Sequence, residues 1–188
     1  MARSACVLFS SVGCVVPTAV NIQPIAKTSF DEAGLVALLT DVVDAGASVG
    51  FLAPLAAETA RAFWHGVRSE LDGGRVLLGA YAEGRLVGAV QLAPSSRPNA
   101  AHRAEVQKLL VLQAFRRRGV GKALMSAIEA KARELGRWLL VLDNVPGHAA
   151  EKLYERIGYV RADVIPHYAL RSGGGVDPTA IFYKQLGP

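Results

Sequence analysis

Three arginines running into a glycine turn, Arg116-Arg117-Arg118-Gly119-Val120-Gly121, form the segment of this chain best equipped for chemistry. The segment joins an apolar strand-like run, Val106 to Leu112, to an amphipathic helical run, Val120 to Leu135. A helix start leaves backbone N–H groups without intrahelical partners and carries the positive end of the macrodipole. Glycines let such a backbone come close to a bulky anion, so the segment predicts a phosphate site. A magnesium-nucleotide P-loop does not fit: Arg116 stands where its first glycine belongs, and Ala123 replaces its hydroxyl residue. A dinucleotide fingerprint does not fit either, because Leu124 occupies its third small position and no βαβ repeat surrounds it. Nucleic-acid binding through Arg116, Arg117 and Arg118 stays open on charge. An aromatic content of 7% and the lack of a reader motif weigh against it. The plain alternative is a solvated basic turn.

Other reactive groups are sparse. His65, His102, His148 and His167 are scattered without metal-ligand spacing, so no metal is expected. No Ser-His-Asp order supports a covalent hydrolase. Both cysteines, Cys6 and Cys14, fall at the start of the chain, so neither a disulfide framework nor a thiolate zinc site is expected.

The elements around the turn follow from periodicity. Asn21 to Ala26 reads as a first strand. A helix capped by Thr28 or Ser29 carries Leu35, Leu38, Leu39, Val42 and Val43 at helical spacing, and a second runs from Pro54 to Leu71. Val76 to Ala82 and Arg85 to Leu92 form a hairpin about Glu83-Gly84. Glu105 to Leu112 is the strand before the basic turn, Trp138 to Leu142 a buried strand, and His148 to Ile157 a further helix. Tyr159 to Val164 and Thr179 to Leu186 pair at the end, with Ile165 to Pro178 as a loop between them. The order βααβββαβαββ predicts an α/β (α+β) fold with a mixed sheet.

A length of 188 residues, with 51% hydrophobic and 20% charged residues, fits one globular domain. The net charge of +5 favours acidic ligands in general. No apolar run is long enough to span a membrane. Residues 1–20 read as a disordered extension or a start codon set too far upstream, with a weak signal peptide as the alternative. The domain proper is expected over 21–188, in the cytoplasm.

Two motifs carry a family resemblance. Arg116, Gly119 and Gly121 satisfy Gln/Arg-x-x-Gly-x-Gly/Ala, and Ala150, Leu153, Tyr154, Gly158 and Tyr159 satisfy Ala-x-x-Leu-Tyr-x-x-x-Gly-Phe/Tyr. Together with the element order over about 21 to 187, they make the chain resemble the GNAT N-acetyltransferase family. The runs Ala104-Glu105-Val106-Gln107-Lys108-Leu109 and Pro178-Thr179-Ala180-Ile181 resemble most nearly the tabtoxin-resistance acetyltransferases. The resemblance implies a mostly antiparallel central sheet flanked by helices, acetyl-CoA as co-substrate, a small amine-bearing acceptor and toxin or antibiotic detoxification. It also implies pairing of two copies, as family members often dimerise. Alternatives are a protein N-terminal acetyltransferase and a non-catalytic acyl-CoA sensor.

Amide formation from a thioester needs the cofactor held, the carbonyl polarised, the amine deprotonated and the thiolate protonated. By resemblance, the backbone from Arg117 through Arg118, Gly119, Val120 and Gly121 to Lys122 meets the pyrophosphate, with Arg116 beside it. Leu109, Leu110 and Val111 offer a strand edge to the pantetheine arm, and an N–H near Leu110 or Val111 faces the thioester oxygen. Tyr154 protonates the thiolate. Glu105 or Asp143 takes the amine proton, although Asp143 at the end of its strand also reads as a helix cap. Gly147 stands where the family usually has Asn. Trp64, His167 and Tyr168 are candidates for acceptor contact.

Overall fold

The computed structural model describes residues 20–187. The expected extension therefore lies, but for Val20, outside the described residues. Eleven principal elements follow the expected order. They are β1 (Asn21–Pro24), α1 (Glu32–Asp44), α2 (Ala57–Glu70), β2 (Val76–Ala82), β3 (Arg85–Pro94), β4 (Arg103–Val111), α3 (Val120–Glu134), β5 (Leu139–Asn144), α4 (Ala149–Arg156), β6 (Val160–Leu170) and β7 (Val176–Gln185). The seven strands make one sheet in the order β1-β2-β3-β4-β5-β7-β6. All neighbours run antiparallel except β4 and β5. This is a mixed α/β fold with a mostly antiparallel sheet, as the element order and the resemblance imply.

Local chemistry accounts for most boundaries and for the places where they shift. Asp31, rather than Thr28 or Ser29, caps α1, its carboxylate accepting the Gly34 N–H at 2.9 Å. Lys27–Ser29 instead forms a 3-10 turn ahead of it. Pro54 lies outside α2, which starts at Ala57. The β2–β3 turn places Glu83 at φ 50° and Gly84 at φ 77°, the paired left-handed geometry that matches strand twist. Leu86 to Leu92 of β3 are buried without alternation, because α1 and α3 both pack against that strand.

The last hairpin corrects the sequence reading. Ile165 to Pro178 is not a loop: β6 continues to Leu170 and β7 begins at Val176. The pairing skips between Ile165↔Thr179 and Ala169↔Asp177, so Pro166, His167 and Tyr168 face the single residue Pro178. Proline has no N–H for the ladder, and the partner strand bulges around it. His167 takes φ 52° there.

One buried ion pair ties the helical layer to the sheet. Lys184 Nζ on β7 donates to Glu129 Oε2 of α3 at 2.7 Å and to the Ile157 carbonyl at 2.6 Å. Glu129 is only 7% exposed, so losing its carboxylate strands a cation in the interior. Glu129→Ala is expected to destabilise the fold by about 3 kcal/mol. Urea unfolding checks this, and Glu129→Leu combined with Lys184→Met should recover most of the loss.

Candidate active site

Strand β4 leads through a 3-10 turn, Gln113–Phe115, into the basic segment and then α3. The segment reverses direction with Arg117 at φ 60° and Gly119 at φ 86°, the latter serving as N-cap. The first backbone N–H of α3 to find a helical carbonyl belongs to Ala123, which donates to Gly119 at 3.0 Å. Among the described residues, the N–H groups from Arg117 to Lys122 donate to no backbone carbonyl, and no side chain caps them. A run of unpaired N–H groups at a helix start is a concave anion site. A Cβ on Gly119 would meet no atom within 4 Å, so this face of the turn is open. Gly121 is tighter: a Cβ there would lie 3.3 Å from Leu153 of α4.

The three arginines do different things. Arg116 folds back and donates from Nε to the Val111 carbonyl at 3.3 Å. Arg118 lies over the Phe115 ring at 5.4 Å. Arg116, Arg117, Arg118 and Lys122 are all exposed, whereas Val120 is buried in the core, leaving only its main chain to face a ligand.

Beside the turn the sheet opens. β4 and β5 pair only from Arg103↔Leu139 to Glu105↔Val141. Beyond that point β5 keeps β7 as its partner, and among the described residues the other edge of β4 has none. A bulge turns this free edge: Gln91↔Gln107 and Ala89↔Leu110 are registered pairs, so Lys108 and Leu109 oppose Val90 alone. Lys108 has φ 51°, a left-handed conformation that costs a lysine about 1 kcal/mol or more. The Leu112 N–H donates to Val87 at 3.0 Å. Antiparallel alternation then aims Leu110 at β3 and leaves the Val111 N–H and carbonyl on the open edge. Of the two N–H groups the sequence leaves as candidates, only that of Val111 faces the gap.

The two expected bases lie at this opening. Glu105 stands at its vertex, in the last β4–β5 pair. Val141 is its partner, and Asp143, two residues on, shares the face of Val141. Both carboxylates are exposed. Asp143 is not a helix cap: α4 has His148 at its N-cap with no side-chain bond. Instead Asp143 Oδ2 accepts from Thr179 Oγ1 at 3.0 Å, Thr179 being a buried residue of β7. Gly147, where the family usually has Asn, is at φ 80° and donates its N–H to Glu151 at 2.6 Å.

Tyr154 of α4 is 6% exposed, with its ring 5.8 Å from Tyr159 and 5.9 Å from Phe182. Burial, with a smaller contribution from the negative charge of Asp143, pushes its phenol well above the ordinary tyrosine range. The group therefore keeps its proton at neutral pH.

Two features escape the sequence reading: Thr179 bonds Asp143 across strands, and Lys108 sits at a bulge of β4 with its ammonium over Phe51 and Phe63. Trp64, a candidate for acceptor contact, is fully buried against Phe63 in the core and is corrected to a packing residue. His167 and Tyr168 are exposed on the β6 bulge.

Comparison with known proteins fits this geometry. The acetyltransferase (GNAT) family profile matches residues 45–159. Mycothiol acetyltransferase of Geodermatophilus obscurus is 33% identical over 149 residues, which are 79% of this chain and 45% of that protein. The chain thus spans about half the length of this curated relative. Among solved structures, a phosphinothricin acetyltransferase of Sinorhizobium meliloti in complex with AcCoA superposes with a TM-score of 0.76 at 17% identity, covering 89% of each chain. A ribosomal-protein-alanine N-acetyltransferase of Brucella melitensis gives 0.73 at 21% identity, covering 88% of this chain and 99% of its own. At these identities the two structures share the fold.

Proposed function

The chain belongs to the acetyltransferase (GNAT) family, and from that premise we propose that it carries the acetyl group of acetyl-CoA to the amine of a small molecule. One observation supports the reading: β4 parts from β5 just before it leads into the turn of unpaired N–H groups, with Glu105 in the last β4–β5 pair and Asp143 two residues beyond it on β5. The N–H groups from Arg117 to Lys122 would hold the pyrophosphate, with Arg116 to Arg118 adding positive charge. The free edge from Leu109 to Val111 would pair with the pantetheine amides as an added strand. The Val111 N–H would polarise the thioester carbonyl.

The amine nitrogen bonds to the acetyl carbon as the carbon–sulfur bond breaks. The ammonium proton leaves to Asp143 or Glu105, directly or through water; once the amine has added, the nitrogen releases a second proton, which restores Tyr154 after its own proton has gone to the departing thiolate. Charge and protons balance without an acyl-enzyme. Asp143 is the better placed base, because Thr179 holds its carboxylate in one orientation. Detoxification of an amine-bearing toxin is the physiological role we assign.

Thiol release from acetyl-CoA, measured across a panel of small amines, amino acids and peptides with free N-termini, tests the reading. Turnover confined to small amines upholds it. Turnover confined to peptides makes the chain a protein acetyltransferase, and tight CoA binding without any turnover makes it a sensor.

We also propose that two copies pair through β6. Among the described residues its outer edge has no partner strand, and Val160, Ile165, Tyr168 and Leu170 are exposed along it. Light scattering should give twice the chain mass, and Ile165→Lys with Leu170→Lys should give the monomer.

A further inference from the structure

Lys108 has no role in the mechanism above, yet it occupies an expensive position at the same opening. Its backbone is left-handed at the β4 bulge, φ 51°. Its ammonium lies 5.8 Å from the Phe51 ring and 5.6 Å from the Phe63 ring, which pack edge to face at 5.2 Å. Those rings come from the segment after α1 and from α2. A Cβ on Gly50 would come 3.4 Å from Nζ, so the chain passes closely over the ammonium. Among the described residues, Nζ makes no hydrogen bond and no ion pair within 4.0 Å. Asp143 and Glu105 are near enough to act on its charge, as is Arg75 with opposite effect. Burial is the larger influence and holds its pKa below the ordinary lysine range.

A half-buried cation with three unused donors, on an aromatic bed, is a receptor for an anion. The carboxylates nearby are the groups assigned to the acceptor's amine. A ligand that reaches both must carry a positive and a negative end.

We propose that Lys108 is the specificity residue of the acceptor site, binding a carboxylate on the same molecule whose amine meets Asp143 and Glu105. The acceptor is then a zwitterionic amino acid or a compound built like one. The backbone strain at the bulge is what carries the ammonium into the opening. This assignment rests on the amine-acetylation reading, and its test separates the two.

The test uses α-, β- and γ-amino acids, each beside its carboxamide, with the wild-type chain, Lys108→Met and Lys108→Arg. Wild type should favour the best carboxylate over its carboxamide by about 10- to 100-fold in kcat/KM, the worth of one charged hydrogen bond. Lys108→Met should bring that ratio close to one, and Lys108→Arg should keep most of it. A wild-type ratio near one, or a ratio that survives Lys108→Met, overturns the assignment. Titration of N-acetyl amino acids and their amides in the presence of CoA decides the matter without turnover. Carboxylate-selective binding lost in Lys108→Met upholds the role of Lys108 even where no amine is acetylated, in which case the acetylation reading alone falls. Equal binding of acid and amide by wild type overturns it.

Discussion

Tyr154→Phe is expected to lower kcat by about 100-fold while leaving the acetyl-CoA KM and the fold unchanged. General acid catalysis contributes roughly 10²- to 10⁴-fold. A thiolate is a comparatively good leaving group, with a thiol pKa of about 8.5, so the lower end applies. The phenylalanine ring keeps the packing against Tyr159 and Phe182 and removes only the hydroxyl. A structural role would appear as lost stability at constant kcat, which is the opposite pattern.

The pH dependence has a definite sign. Burial raises the Tyr154 pKa above the unfolded value of about 10. Its proton therefore stays in place through that pH, and the alkaline limb of kcat should not fall there. The linked stability is fully present below pH of about 10 and is lost as pH rises toward the folded value. Thermal midpoints of wild type should drop more steeply above that pH than those of Tyr154→Phe.

Gly119→Val should raise the acetyl-CoA KM by about tenfold or more, with a smaller change in kcat. Space is not the obstacle, since a Cβ at Gly119 meets nothing within 4 Å. The obstacle is φ 86°, which costs an L-residue about 1–2 kcal/mol and a β-branched one at least as much. The turn relieves that strain by rotating, and its N–H groups then diverge from the phosphate. Gly121→Val should act by another route. Its Cβ presses on Leu153, one residue from Tyr154, so KM and kcat should both suffer. Steady-state kinetics and CoA titration separate the two variants, and unchanged CoA affinity in both would remove the turn from the site.

What the sequence discloses about this site is what local chemistry determines. The strand, the glycine turn and α3 are contiguous, and their periodicity and capping are visible in Val106 to Leu135. Tyr154 is visible because its motif is compact. The gap between β4 and β5 is not, since it depends on how far two strands separated in the chain by α3 stay paired, which no local pattern records. The Lys108 bulge is equally hidden: an extra residue in a strand has no compositional mark when its left-handed member is a lysine. Thr179 escapes because its bond to Asp143 crosses between strands. Pro166, Pro178 and the glycines at 173–175 argue locally for a loop, and the ladder between β6 and β7 overrides them with a bulge around Pro178.

The most direct measurement is mass spectrometry of both enzyme and acceptor after incubation with acetyl-CoA and the preferred amine. An N-acetylated amine should form in equal amount with free CoA, and the enzyme should stay unmodified when the amine is withheld. CoA release without an acetylated amine, or an acetyl group retained covalently on the enzyme and passed on to the amine, would contradict direct transfer to the amine.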